Sequence, residues 1–335
     1  MSRRKLSRQQ QWRIDKIQAE KTKRAARKET HSAEKEARGE YGPEQTGRVI
    51  AHFGRTLDIA DDAHRLFHCH QRANLDSLVT GDRVIFRAGD DATGVIEARL
   101  ERDSTLERPD ARGNLRPVAA NVDRILIVFA VEPAPHPNLI DRYLVACEAT
   151  GITPVLLLNK TDLLPEDGGE LRRWLAEYEQ LGYDVVPASI KEEHGLDVLT
   201  RQVHEFTTVF VGQSGVGKSS LIGALLPEED LRVGALSEQQ RKGTHTTTTA
   251  RLYRFPAGGE LIDSPGIREF GLMHLTERQV ADGFIEFRPF LGTCRFRDCR
   301  HRSEPGCALL DAVEQGHISA SRFASYRHII ASLEA

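Results

Sequence analysis

The sequence predicts a multidomain α+β chain: an OB-like β-barrel, a P-loop α/β domain, and a short C-terminal helical segment that binds a metal. Three observations predict it. Short alternating segments fill residues 46–117. Near-continuous apolar runs begin at about Asn121 and alternate with helical spacing. Three of the five cysteines fall between 294 and 307. Alternation marks half-buried strands, apolar runs mark strands buried on both faces of a parallel sheet, and clustered Cys and His mark a metal site.

Length and composition set the bounds. At 335 residues the chain suits two or three domains, and 39% hydrophobic against 28% charged residues fits a globular protein with true cores. No apolar run approaches a membrane span and the basic start is no signal peptide, while five unevenly spread cysteines point to a reducing cytosol rather than a disulfide scaffold. The net charge of −3 averages unlike parts. Residues 1–40 hold 13 Lys and Arg against 6 Asp and Glu, so the remainder carries the acidic excess. That asymmetry favours an anionic partner such as nucleic acid.

Residues 1–45 have only scattered apolar side chains (Leu6, Trp12, Ile14, Ile17), too few for a core. They are expected to be disordered or a lone helix when free, and serve either as a solvated tail or as an RNA-binding arm.

From 46 to 117, Thr46–Phe53, Arg65–Gln71, Asp82–Ala88 and Thr93–Leu100 read as strands between turn signals at Asp61–Asp62 and Gly89–Asp91. Four or five short strands suit a small barrel of OB type, a form that often holds single-stranded nucleic acid. In the triplet His68, Cys69, His70, alternation puts the two histidines on one face and the thiol on the other, which favours a structural role over a metal pair.

The domain at 118–274 begins with Val122–Val131 and Thr153–Leu158, read as buried strands, with helical spacing over Pro137–Thr150 between them. Asp184–Ala188, Thr207–Val211 and Leu261–Ile262 continue the strands; Glu170–Leu181 and Lys218–Leu226 continue the helices. Such alternation predicts a mostly parallel sheet. Residues 275–335 read as helical around the Cys/His cluster.

The strongest motif is GQSGVGKS at 212–219, a complete G-x4-G-K-S phosphate loop between a strand and a helix. Gly212, Gly215 and Gly217 let the backbone curl, so that N–H groups of Gln213, Ser214, Val216 and their neighbours point at phosphates beside a helix N-terminus. Lys218 is placed to reach the terminal phosphates, the Ser219 hydroxyl to hold Mg²⁺, and Ser220 follows in the same turn.

Upstream, the strand TPVLLL runs into Asn159, Lys160, Thr161 and Asp162. A carboxylate at Asp162 accepts from the ring N–H and exocyclic amine of guanine but is opposed by the ring acceptor of adenine, a discrimination that is large when the acceptor is left unpaired. Asn159 is placed for the other base edge and the Lys160 stem for the ring face. Downstream, DSPG at 263–266 ends another apolar strand. Asp263 suits the Mg²⁺ shell and the Gly266 N–H suits the γ-phosphate. Between the two phosphate motifs lies RKGTHTTTTA at 241–250. Thr247, with Thr246 next, is the candidate to complete the Mg²⁺ shell. A glutamine usually orients water just after the glycine of the last motif; Ile267 stands there and cannot. His245 is the candidate replacement, its alternative being a solvated loop histidine.

The order is unusual: base motif, phosphate loop, then DSPG. A circular permutation explains it, since the motifs need spatial and not sequential proximity. It also leads the loop after Asp263 straight into the C-terminal segment, where nucleotide state can pull on whatever follows.

Cys294, Cys299, His301 and Cys307 offer three thiolates and one imidazole, the set of a closed structural Zn²⁺ site. Arg295, Arg297, Arg300 and Arg302 between them suit RNA phosphates or simple solvation.

Together, NKTD at 159–162, GQSGVGKSS at 212–220, HTTT at 245–248, DSPG at 263–266 and the Cys/His set resemble the circularly permuted GTPases of the RsgA (YjeQ/EngC) family over residues 45–335. The resemblance implies an OB domain at 46–117, a permuted GTPase domain and a zinc domain in a cytoplasmic monomer. It implies GTP hydrolysis stimulated by the 30S subunit during its late maturation, contact with 16S rRNA, and release of assembly factors. The family's second base-contacting segment is Ser-Ala; here it is Ser189 and Ile190. Against this stand a nucleotide-gated RNA-binding module whose hydrolysis is incidental, and a kinase-like phosphotransferase that NKTD argues against.

Overall fold

The computed structural model describes residues 41–54, 56–73, 75–110, 113–227, 250–263 and 275–333. These form two compact units. The first holds the described residues up to Leu78 with Arg83–Glu101; the second holds Val79–Asp82 and the described residues from Arg102 onward.

In the first unit β1 (Glu44–Phe53), β2 (Thr56–Asp61), β3 (Leu66–Gln71), β4 (Arg83–Ala88) and β5 (Thr93–Arg99) close a barrel. Its order is β1-β2-β3-β5-β4 and back to β1, antiparallel except for the β3–β5 pair. Closure leaves no free sheet edge. Val49, Leu57, Ile59, Phe67, Cys69, Val84, Phe86 and Ile96 fill the interior. Strand β3 alternates as its sequence predicts: His68 and His70 are exposed and Cys69 is wholly buried, its thiol pushed up to about 12 by desolvation. His68 Nδ1 lies 2.6 Å from Asp58 Oδ1 across the sheet. Strand β2 was not among the segments named from sequence, because TLDIAD ends in the Asp61–Asp62 pair that reads as a turn.

The second unit opens with a hairpin, β6 (Thr105–Pro109) and β7 (Leu115–Ala120). The sequence reading had carried the barrel through these residues to 117. A buried ion pair stands at the chain's entry to this unit: the Arg102 guanidinium donates to both carboxylate oxygens of Asp82 at 2.7 and 2.8 Å, and Asp82 also caps the Val79 N–H.

A six-stranded sheet follows, with β8 (Arg124–Ala130), β9 (Thr153–Asn159), β10 (Asp184–Ala188), β11 (Thr207–Val211), β12 (Arg251–Arg254) and β13 (Glu260–Asp263). The order is β10-β9-β8-β11-β13-β12, parallel apart from β12. Strand β8 is buried almost throughout, as RILIVFA demands of a strand covered on both faces. Helices α1 (Pro137–Thr150), α2 (Gly169–Gln180), α3 (Asp197–Val203) and α4 (Lys218–Leu225) connect the strands. The sequence runs outward from β8 to β10 and then returns to β11 on the other side of β8. Such a reversal leaves a crevice at the carboxyl ends of β8 and β11, where ligands bind in open α/β sheets.

The C-terminal part is helical: α5 (Glu277–Asp282), a 3₁₀ turn at Ile285–Phe290, α6 (Ala308–Glu314) and α7 (Ala320–Leu333). Thr276 and Gln279 make a reciprocal capping box at the start of α5. Phe284 and Phe287 stack at 4.8 Å between centroids, and Tyr326 of α7 meets both edge-on. No helix among the described residues is long and apolar enough to cross a membrane.

Candidate active site and metal centre

Four segments singled out from sequence meet at one end of the sheet. Asn159 ends β9, Ser189 follows β10, the phosphate loop follows β11 and Asp263 ends β13. Because all four strands are parallel, their carboxyl ends share one edge.

The phosphate loop is held by its surroundings as well as by its glycines. Gly212 has φ 136°, and a Cβ there would lie 2.0 Å from the Val128 carbonyl oxygen, so only glycine lets the loop leave β11 beside β8. Gly217, φ 94°, caps α4; a Cβ would lie 2.4 Å from Asn159 Nδ2. Val216 is fully buried and anchors the loop. The N-terminus of α4 then presents Lys218, Ser219 and Ser220, with both serines exposed. Lys218 Nζ donates to the Gly212 and Gln213 carbonyls at 2.6 Å each, so the ammonium is folded into the ring of the loop.

The base motif is stitched to this loop. Asn159, almost fully buried, donates from Nδ2 to the Val216 carbonyl at 2.8 Å. Lys160 has a left-handed backbone, φ 61°, and its Nζ reaches the Glu132 carbonyl at 2.6 Å and the Gly215 carbonyl at 3.1 Å. Base motif and phosphate loop are thus joined by two direct hydrogen bonds.

Asp162 is prepared as an anion. The Ser189 hydroxyl donates to its Oδ1 at 2.6 Å, and Lys191 Nζ lies 3.4 Å from Oδ2. These two partners, Ser189 foremost, hold its carboxyl below the usual range. Thr161 donates to Glu192 at 2.8 Å, which ties the segment 189–195 to the base motif a second time. Ile190 is half exposed beside them. Sequence reasoning missed Lys191 and Glu192, although both directly follow Ser189 and Ile190. It also missed Glu132, whose carbonyl accepts from Lys160, and no local motif marks it. His245, Thr246, Thr247, Gly266 and Ile267 lie outside the described residues.

The metal-ligand cluster is separate. Cys294, Cys299, His301 and Cys307 bring their ligand atoms within 4.8 Å of one another. His301 Nδ1 lies 3.5, 3.6 and 3.3 Å from the three sulfurs in turn. A tetrahedral ion with sulfur at about 2.3 Å and nitrogen at about 2.0 Å needs S···N edges of roughly 3.5 Å, so the donor set fits a metal. His301 is left-handed, φ 59°, which turns its ring back onto the thiols, and Cys307 is the N-cap of α6. Burial pushes the Cys299 thiol up to about 12 and lowers the His301 imidazole.

Comparison with known proteins decides the family. The model for the RsgA GTPase family matches residues 99–273. The chain belongs to the RsgA GTPase family. A protein of Chromohalobacter salexigens called small ribosomal subunit biogenesis GTPase RsgA is 68% identical over 337 residues, covering 99% of both chains. One of the same name from Hahella chejuensis is 57% identical, covering 100% of this chain and 97% of its own. Among solved structures, the circularly permuted GTPase YloQ aligns with TM-score 0.69 at 29% identity, over 87% of this chain and 96% of its own. YjeQ from Thermotoga maritima aligns with TM-score 0.72 at 31% identity, over 88% and 99%. As an RsgA GTPase the chain is a GTP hydrolase of permuted order, and the strand-end geometry shows why the permutation is harmless: Asn159, the 212–220 loop and Asp263 still share one edge of the sheet.

Proposed function

We propose that this chain hydrolyses GTP in the biogenesis of the small ribosomal subunit, with turnover stimulated by the 30S subunit. The observation that carries the reading is the bonding of the 159–162 motif to Ser189 on one side and, through Asn159, to the 212–220 loop on the other, in a chain whose relatives bear that name.

In this reading Asp162 accepts from guanine, Asn159, Lys160 and Thr161 frame the base, and Ser189 and Ile190 close its far edge. Gly212, Gln213, Ser214, Gly215, Val216, Gly217, Lys218, Ser219 and Ser220 cradle the phosphates. Lys218 exchanges its two loop carbonyls for phosphate oxygens, which replaces neutral acceptors by charged ones. Ser219, Thr247 and Asp263 are the residues that would hold a Mg²⁺ ion bound with the nucleotide, which would supply charge neutralisation at the phosphates. The Gly266 N–H detects the γ-phosphate. With Ile267 unable to orient water, His245 or a group of the subunit does so, and intrinsic turnover is slow. The cluster Cys294, Cys299, His301 and Cys307 holds one structural Zn²⁺, consistent with the three-sulfur, one-nitrogen donor set. The chain acts in the cytoplasm as a monomer, contacts 16S rRNA through the basic arm at 1–45 and the arginines around the metal, and promotes release of assembly factors.

The test is GTP turnover with 30S subunits, with 50S subunits and with neither. A large rise with 30S alone is expected; equal turnover in all three overturns the coupling to the small subunit.

A further inference from the structure

Four residues, Val79–Asp82, belong to the second unit although the strands on either side of them in sequence, β3 and β4, belong to the barrel. They form a tight turn. The Asp82 N–H donates to the Val79 carbonyl at 3.1 Å, and the Val79 N–H donates back to Asp82 Oδ2 at 2.8 Å. The turn is gripped from outside as well. The Ala120 N–H donates to the Thr80 carbonyl at 3.0 Å, and Asn121 Nδ2 donates to the Gly81 carbonyl at 2.9 Å. With the Arg102 fork on Asp82, its backbone has little freedom to shift.

What this fixed turn presents is the Thr80 hydroxyl. Thr80 is 1% exposed, and its Oγ1 donates to the Ala250 carbonyl at 3.0 Å, across 170 positions of sequence. Ala250 immediately precedes β12, and Arg251, the first residue of β12, stands opposite Asp263 in the antiparallel β12–β13 ladder. The next rung pairs Leu252 with Ile262. Gly81 approaches that same rung so closely that a Cβ would lie 2.9 Å from Ile262 Cδ1. The turn therefore meets both strands at the end of the ladder where Asp263 stands. A ladder of four rungs frays from its ends unless they are tied, and Thr80 ties this one. The Asp263 carboxylate and the Ser219 hydroxyl are oxygen donors of the kind Mg²⁺ takes.

We propose that Thr80 is a positioning residue for Asp263: its hydroxyl ties off the β12–β13 ladder and so holds that carboxylate at the edge of the sheet that carries the phosphate loop. The proposal rests on the assignment of Asp263 to the Mg²⁺ shell, and adds to it a residue that neither the base motif nor the phosphate loop contains.

The experiment titrates Mg²⁺ against the binding of a fluorescent, non-hydrolysable GTP analogue to the full chain. The variants are Thr80→Val, Thr80→Ser, Asp263→Asn and Thr80→Val with Asp263→Asn, each with a thermal melt. Thr80→Val keeps the shape and removes one hydrogen bond. The Mg²⁺ concentration at half effect is expected to rise about fivefold, while affinity in metal-free buffer stays at the wild-type level. Thr80→Ser keeps the hydroxyl and restores the wild-type Mg²⁺ dependence. In the Asp263→Asn background Thr80→Val adds nothing to that dependence, because it acts through the missing carboxylate. Should Thr80→Val fail to fold, Thr80→Cys replaces it, since a thiol of similar volume is only a weak donor; a smaller shift in the same direction is then expected. An unmoved Mg²⁺ midpoint, or an equal loss of affinity with and without Mg²⁺, overturns the proposal. Wild-type binding that Mg²⁺ does not strengthen, or an Asp263→Asn chain as Mg²⁺-sensitive as wild type, overturns the assignment of Asp263 itself. Lost Mg²⁺ dependence in Asp263→Asn with an unmoved midpoint in Thr80→Val overturns the positioning alone.

Discussion

The Ser189 hydroxyl donates to Oδ1 of Asp162 at 2.6 Å, joining two segments 27 residues apart. The bond fixes the carboxylate proposed to discriminate guanine. Asp162→Asn replaces one acceptor oxygen by a donor, facing the guanine amine with a like group; GTP affinity is expected to fall at least about 100-fold, with xanthosine triphosphate gaining. Ser189→Ala costs about tenfold, the scale of one hydrogen bond to a charged group. Competition binding with both nucleotides checks each.

That bond also sets an acid limit. Asp162 titrates below its ordinary range, chiefly through Ser189 and then Lys191. Base recognition that needs the anion is therefore present above the ordinary carboxylate range and is lost only as pH falls through the depressed value. Ser189→Ala is expected to shift the loss of GDP binding to higher pH, read from binding curves along a pH series. A limit unmoved by the substitution assigns the depression to other groups.

Two glycines make a graded prediction. Gly212→Ala drives a Cβ onto a backbone carbonyl, whereas Gly217→Ala meets a side-chain amide that can swing, at 2.4 Å from Asn159 Nδ2. Both positions also demand positive φ. Gly212→Ala is expected to lower the melting temperature and abolish nucleotide binding. Gly217→Ala loses binding with a smaller fall in melting temperature, because the strain falls on a movable group.

Motifs that act through contiguous residues were legible in the sequence. The loop at 212–220, the base motif at 159–162 and the cysteine cluster each carry their chemistry within about a dozen positions, and strand periodicity placed the first two at the ends of sheet strands. What was not legible joins distant residues. Asp141 and Arg322 are 181 positions apart, and an aspartate in a helix otherwise reads as solvent-facing. The hairpin β6–β7 and strand β12 are short and partly polar, so pairing rather than pattern makes them strands. Lys191 was missed for a different reason: it is in sequence reach of Ser189, but its partner is set by the fold.

The Arg322 cluster makes a stability prediction, since the buried guanidinium donates to both Asp141 and Glu286. Arg322→Met leaves Asp141 and Glu286 buried without their cation, although the thioether fills similar volume. Breaking a buried pair from one side costs about 3–5 kcal/mol. For a unit of this size that lowers the melting temperature by roughly 10 °C. Thermal melts of Arg322→Met against Arg322→Lys, which keeps the charge, separate lost charge from lost fork geometry. Equal melting temperatures for wild type and Arg322→Met would show that the ion cluster contributes nothing net.

The metal cluster is predicted to stabilise locally. Its four ligands lie within 294–307, while α7 is held by Phe284, Phe287, Tyr326 and Arg322, none of which is a ligand. Cys299→Ser is expected to remove one Zn²⁺ per chain by elemental analysis. Amide exchange should then quicken across 294–307 and leave Ile329 and Ile330 protected. If α7 loses protection together with the ligand loop, the two are one cooperative unit and the division fails.

The basic arm carries the last prediction. Residues 1–40 hold 13 Lys and Arg against 6 Asp and Glu, on a chain whose remainder is acidic. An acidic body is repelled by rRNA at long range, so the proposed rRNA contact draws on local basic elements: the arm, and the exposed Arg295, Arg297, Arg300 and Arg302. Each phosphate contact that releases a counterion adds up to about one unit to the slope of log affinity against log salt. Deleting 1–40 is expected to flatten the slope for 30S binding by several units, while Arg297→Ala with Arg300→Ala flattens it by about two. The intrinsic GTP turnover of both variants should stay at the wild-type level, since neither region contains a residue of the base motif or the phosphate loop. An unchanged slope on deletion would mean that the arm makes no phosphate contacts, and the charge asymmetry would then serve solubility alone.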